Sequence, residues 1–141
     1  MTNTYISTSS VVKKKWYLID ARDQTLGRLA GKISVILMGK NRSTYSPHQN
    51  NGDSIIVINA EKIYVSGKKE NQKMYRFHSG RPGGMKTESF KSLLARKPER
   101  IIENAVKGML PKNRIGRQML TNLKVYKGTL HPHDAQMPEV I

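Results

Sequence analysis

With 141 residues, 37% of them apolar, the chain has length for one ordinary domain and apolar content for a packed core, which excludes wholesale disorder. Twenty-five lysines and arginines against ten acids leave a formal charge of +15, a self-repelling field whose natural compensation is a polyanionic partner. There is no cysteine, which excludes a disulfide scaffold or thiolate metal site, and no stretch approaches the ~20 apolar residues of a spanning helix, so no membrane partner is expected and nucleic acid leads.

The first twelve residues carry no charged side chain and are rich in Ser and Thr. Residues 1–15 are expected to form a polar N-terminal arm ending in the Lys13-Lys14-Lys15 run, and 16–141 a single domain. Trp16 to Ala21 is an aromatic and branched block that predicts a buried strand. Thr25 can cap the helix that follows, in which Leu26, Leu29, Ala30, Ile33, Ile36 and Leu37 recur at helical spacing until Gly39 closes it. Gly27 and Gly31, four apart, would permit close approach to a sheet or to RNA backbone. Residues 40–53 are polar and turn-rich.

Ser54 to Ala60 contains four consecutive branched apolars, the pattern of a strand buried on both faces in a parallel sheet. Strand, helix and strand at this spacing predict a right-handed βαβ unit, hence an α/β fold. A helical turn is expected within 61–65 and a short extended piece over 74–77. Residues 79–86 read as a loop. A helix starting at Thr87 would turn Phe90, Leu93 and Leu94 inward. A second, with Pro98 in its first turn, would bury Ile101, Ile102, Ala105, Val106 and Met109, with Pro111 ending it. A short third helix over 113–121 precedes an extended segment at 123–126, and the tail from Gly128 is loop-like.

Charge is concentrated. Between Lys68 and Lys127 sixteen basic residues face four acids, and between Glu103 and Asp134 there is no acid at all. A solvated surface alternates sign, so one-signed enrichment over a folded segment reads as a phosphate-facing surface.

Three segments carry this reading. The first holds Lys40, Arg42, Tyr45 and His48. The second runs from Lys68 and Lys69 through Lys73, Tyr75, Arg76 and His78 to Arg81 and Lys86. Its glycines, Gly83 and Gly84 among them, let backbone N–H groups approach phosphates. The third holds Lys107, Lys112, Arg114 and Arg117, followed by Lys124 and Lys127. Arg28 joins the set. Tyr45, Tyr75 and Tyr126 each offer either a stacking face or a core side chain. The histidines, including His131 and His133 around Pro132, fit contacts to bases, phosphates and 2′-hydroxyls, or structural hydrogen bonds.

Catalytic and cofactor readings find little support. Gly27-Arg28-Leu29-Ala30-Gly31-Lys32 is one residue short of a phosphate-binding loop, lies inside a helix, and has Ile33 where a magnesium ligand should stand. No carboxylates or cysteines accompany the histidines to complete a metal site. No catalytic function, cofactor, metal or small-molecule substrate is expected.

The ordered blocks resemble a known family. Trp16-Tyr17-Leu18-Ile19-Asp20-Ala21, Leu26-Gly27-Arg28-Leu29-Ala30, Tyr45-Ser46-Pro47-His48, Ile56-Val57-Ile58-Asn59-Ala60-Glu61-Lys62, His78-Ser79-Gly80 and above all Val106-Lys107-Gly108-Met109-Leu110-Pro111 are similar to those of the bacterial-type large-subunit ribosomal protein thirteen family. The resemblance implies a three-layer αβα domain with a four-stranded, largely parallel sheet. It also implies binding to large-subunit (23S-type) rRNA, a part in early subunit assembly, and neighbouring large-subunit ribosomal proteins as partners. His78 to Lys86 looks most like the cyanobacterial and plastid branch, and Asn-, Lys- and Ile-rich usage favours a plastid stroma over a cyanobacterial cytoplasm. Asn50-Asn51 before Gly52 departs from the family pattern. The rival readings are a free RNA- or DNA-binding regulatory module acting off the ribosome, and a nucleotide-dependent enzyme.

Overall fold

The computed structural model describes residues 14–141, so the expected N-terminal arm lies, apart from Lys14 and Lys15, outside the described residues. Strand β1 (Trp16–Asp20) and strand β2 (Ser54–Ile58) pair in parallel, Trp16 opposite Ser54 and Asp20 opposite Ile58. Helix α1 (Leu26–Met38) connects them, which is the expected βαβ unit. Strand β5 (Leu123–Val125) adds in parallel to β2, and β6 (Glu139–Val140) to β1, giving the order β5-β2-β1-β6. The described residues thus form a single α/β domain of αβα type on a four-stranded parallel sheet.

The period-2 alternation of the strands divides the sheet into two faces. Ile19, Ile55 and Val57 point into one continuous core with Leu29, Ile33 and Leu37 of α1 and with Ile101, Ile102 and Val106 of α4 (Glu99–Met109). Each such aliphatic side chain contributes about 2 kcal/mol through burial. On the opposite face the Trp16 ring lies 5.4 Å from His133, so the segment after β5, with its 3-10 turn Asp134–Gln136, covers that side. The buried Ile56 shows that the face is sealed, as the four-residue apolar run predicts.

Helix α1 begins and ends as local chemistry requires, with one difference. Gly39 closes it in the left-handed region at φ 73°. Thr25 precedes the helix in extended conformation but its side chain caps nothing. The Leu26 N–H instead donates to the Tyr64 carbonyl, 2.9 Å away, tying the helix start to the segment after β2. Nor do Gly27 and Gly31 bring α1 close to the sheet, because a Cβ at either would meet no atom within 4 Å.

The chain from 69 to 96 departs most from expectation. After the single turn α2 (Lys69–Gln72), β3 (Met74–His78) and β4 (Met85–Ser89) form an antiparallel hairpin, so the loop contracts to residues 79–84. Thr87 lies in β4 rather than at a helix start. Helix α3 (Phe90–Arg96) begins three residues later, where the Ser89 hydroxyl accepts the Ser92 N–H. Pro98 stands at the N-cap of α4, and Ile101, Ile102 and Val106 are buried, but Met109 is 45% exposed rather than part of the inner face. Helix α5 (Arg114–Thr121) is capped by Asn113, whose side-chain oxygen accepts the Gly116 N–H at 2.7 Å. The loop-like tail hides β6, a two-residue strand.

Candidate nucleic-acid interface

Lysine and arginine ion pairs among the described residues engage only Lys15, Arg42 and Arg96. Arg28, Lys40, Lys68, Lys69, Lys73, Arg76, Arg81, Lys86, Lys107, Lys112, Arg114, Arg117, Lys124 and Lys127 are all exposed, and none is in an ion pair among the described residues. The core therefore holds an unneutralised cationic shell in fixed positions.

Within the first segment, Lys40, Tyr45 and His48 are exposed and lie beyond the C-terminal end of α1. Arg42 differs from them. Its Nε donates to Asp53 Oδ2 at 3.0 Å, and its terminal nitrogen pairs with Oδ1 of the same carboxylate, which is fully buried. The backbone N–H of Lys15 donates to that carboxylate at 2.8 Å. The buried Asn51 donates its side-chain amide to the Thr44 carbonyl, so this departure from the family pattern serves the loop's own framework.

The second segment divides between helix turn and hairpin. Lys69 and Lys73 join Arg28 around a hollow of about 620 Å³ between the start of α1, residues 65–73 and α4. On the hairpin, strand alternation sets Arg76 and His78 on one face and the cross-strand pair Phe77 and Lys86 on the other. The Tyr75 ring stacks on Phe90 at 6.5 Å, with Lys73 Nζ 5.4 Å from its centroid, and burial pushes its phenol upward. Tyr75 is thus the half-buried root of the hairpin. At the tip His78 Nδ1 accepts the Gly80 N–H, and Gly83 takes a positive φ of 70°. Gly84 faces inward: its N–H donates to the Arg81 carbonyl, and an added Cβ would lie 2.0 Å from Ser79 Oγ.

In the third segment Lys107, Lys112 and Arg117 converge on a second hollow, of about 490 Å³, with Arg114 beside them on α5. Lys124 lies on β5 and Lys127 just beyond it. His131 and His133 are drawn into the C-terminal layer. The His133 Nε2 sits 2.7 Å from the Tyr126 hydroxyl, and its ring packs on both Trp16 and Tyr126. His131 Nδ1 accepts the His133 N–H at 3.3 Å and lies 3.5 Å from an Asp134 carboxylate oxygen. Sequence reasoning did not find the apolar and amide partners of the cations, Asn104, Leu110 and Leu120. The signal that could have found them is a glycine, Gly108, inside an otherwise amphipathic helix.

No group of three or more potential metal ligands occurs among the described residues, and no helix there is long and apolar enough to cross a membrane. The family profile described as ribosomal protein L13 matches residues 14–132. The chain belongs to the ribosomal protein L13 family. Its relatives include the large ribosomal subunit protein uL13 of Acaryochloris marina, 62% identical over 141 residues, which is all of this chain and 93% of that protein. The proteins of the same name from Synechococcus elongatus and Rippkaea orientalis are 58% and 57% identical, with the same coverage. Family membership bears out the resemblance, including its cyanobacterial leaning.

Proposed function

We propose that this protein is a structural constituent of the large ribosomal subunit, binding 23S-type rRNA and supporting early assembly. The observation that carries the proposal is the exposed cationic shell, which has few internal counter-ions and is held by a rigid α/β core in an L13-family chain. Lysine and arginine contacts to phosphate position a protein without reading sequence, so specificity comes from matching several fixed surfaces to one RNA shape. Arg28, Lys69 and Lys73 form one such surface and Lys107, Lys112, Arg114 and Arg117 another, with Arg81 and Lys86 projecting on the hairpin. Arg42, His133 and Gly84 serve the framework, Arg42 and Gly84 by holding these loops.

Neighbouring large-subunit proteins are the further partners. Cyanobacterial relatives support a bacterial-type ribosome, and the residue usage supports a plastid stroma over a cyanobacterial cytoplasm. Sedimentation of a cell extract tests the proposal. The protein should travel with the large subunit and leave it only in high salt. A chain that stays at the top of the gradient in low salt would be a free regulatory module instead.

A further inference from the structure

Gly108 stands in the last turn of α4, although glycine is among the poorest helix formers. Packing does not demand it, because a Cβ there would meet nothing within 4 Å. Its bare backbone opens on the 490 Å³ hollow between the end of α4, residues 110–112 and α5. The floor is apolar, made of the buried Leu110 with Pro111 and the half-buried Leu120. Gly116 closes one side: α5 approaches so tightly that a Cβ on Gly116 would lie 1.9 Å from the Pro111 carbonyl oxygen. Lys107, Lys112 and Arg117 form the rim, Asn104 adds an amide, and none of the described residues lining the hollow is an acid.

An apolar floor, one amide and three cations together suit a single chemistry, that of a nucleotide. A base can lie on the floor with its edge on the Asn104 amide, while its phosphates meet the rim. An aliphatic side chain from a protein neighbour would cover the floor but leave three like charges facing one another. A duplex cannot offer a base this way, so the nucleotide must be unpaired. Part of the combination, without the amide, recurs beside α4, where the equally unpacked helical Gly27 opens on the hollow lined by Leu26, Val65 and Met109 and by Arg28, Lys69 and Lys73.

We infer, resting on the rRNA-binding function proposed above, that the hollow beside Gly108 seats one unpaired nucleotide of the large-subunit rRNA. Its base lies on Leu110, Pro111 and Leu120, and its phosphates lie among Lys107, Lys112 and Arg117. The protein then recognises an extruded base as well as the backbone.

The test uses the full chain and a cyanobacterial large-subunit rRNA transcript, probed with dimethyl sulfate and a carbodiimide so that all four bases are read. Wild type should protect a discrete unpaired base. Gly108→Leu fills the hollow and should bind about tenfold more weakly, the value of one stacked base, and should lose that protection. Gly108→Ala, which should melt no lower than wild type, guards against a folding defect and should show the same loss in smaller degree. Variants that bind and protect like wild type overturn the inference. So does a Gly108→Leu chain that binds the transcript normally but fails to enter assembled subunits, since the hollow would then belong to a protein neighbour. If wild type ignores the transcript, the rRNA-binding function falls, and this inference with it.

Discussion

Arg42 and Asp53 fasten the two ends of the 40–53 connection to each other, the guanidinium gripping both oxygens of a carboxylate with no solvent exposure. Because Asp53 also accepts the Lys15 N–H, one buried charge organises the loop and the approach to β1. Removing the acid breaks a two-pronged, buried ion pair and takes the acceptor from the Lys15 N–H, so Asp53→Ala should lower unfolding free energy by about 3 kcal/mol. Arg42→Lys keeps the charge but loses the two-pronged geometry and should cost about 1 kcal/mol. Urea unfolding of the full chain reads both. Wild-type stability in Asp53→Ala would show that the pair does not organise the loop.

Acid should expose a second carboxylate. Burial by itself would raise the pKa of Asp20, but the Arg22 N–H at 2.9 Å, the Asn59 amide at 2.8 Å and the charges of Arg22 and Lys62 outweigh it and hold the group below the ordinary carboxylate value. A carboxylate depressed in the folded state stabilises it above its unfolded pKa of about 3.9, and that contribution fades as pH falls through the lower folded value. Asp20→Asn should therefore lose less stability than wild type when acidified below about pH 4. Equal pH slopes for the two chains would remove Asp20 from the account.

Two glycines around α1 should respond oppositely to one methyl group. At Gly52 a Cβ would fall 1.8 Å from the Leu37 carbonyl oxygen, so the connection packs backbone to backbone on the helix end. Gly52→Ala should cost about 2 kcal/mol or more. At Gly31, inside α1, the methyl meets open space, and Gly31→Ala should stabilise by about 0.5–1 kcal/mol through helix propensity. Thermal melting should move down for the first variant and up for the second. A rise for Gly52→Ala would mean that the loop shifts freely.

These residues also show what the sequence could reveal. The Ile55-Ile56-Val57-Ile58 run and the spacing of Leu26, Leu29, Ile33 and Leu37 disclose β2, α1 and the parallel sheet, because burial on a regular element leaves a period. Strand β4 leaves none. Met85 to Glu88 pair with β3 while largely exposed on both faces, so their alternation is chemical noise and Thr87 reads as a helix start. β6 has two residues and no pattern at all. The basic set is legible as exposed charge. Which candidate site residues are already committed is not: Arg42 to Asp53 spans most of one irregular connection, Tyr75 to Phe90 and His133 to Trp16 join residues from different elements or loops, and no local spacing announces any of them. The grouping of Arg28 with Lys69 and Lys73 likewise depends on where α4 packs.

The cationic rim of α5 can be tested by salt rather than by affinity alone. Arg114 and Arg117 stand three apart on an exposed face of the helix, within reach of one phosphate path, and neither has an acidic partner among the described residues. For every phosphate the protein no longer neutralises, the plot of log affinity against log salt should flatten by about 0.9 for duplex or about 0.7 for single-stranded RNA. Converting both to Ala should therefore reduce the slope by roughly 1.4–1.8 in filter binding to the rRNA transcript. Arg42→Ala is the control. Its guanidinium is spent on Asp53, so it should lose stability while leaving the slope near wild type. The comparison separates charge that faces RNA from charge that holds the loop. If the double variant kept the wild-type slope, these two guanidiniums would not be on phosphate, and the RNA path would have to run elsewhere on the cationic shell.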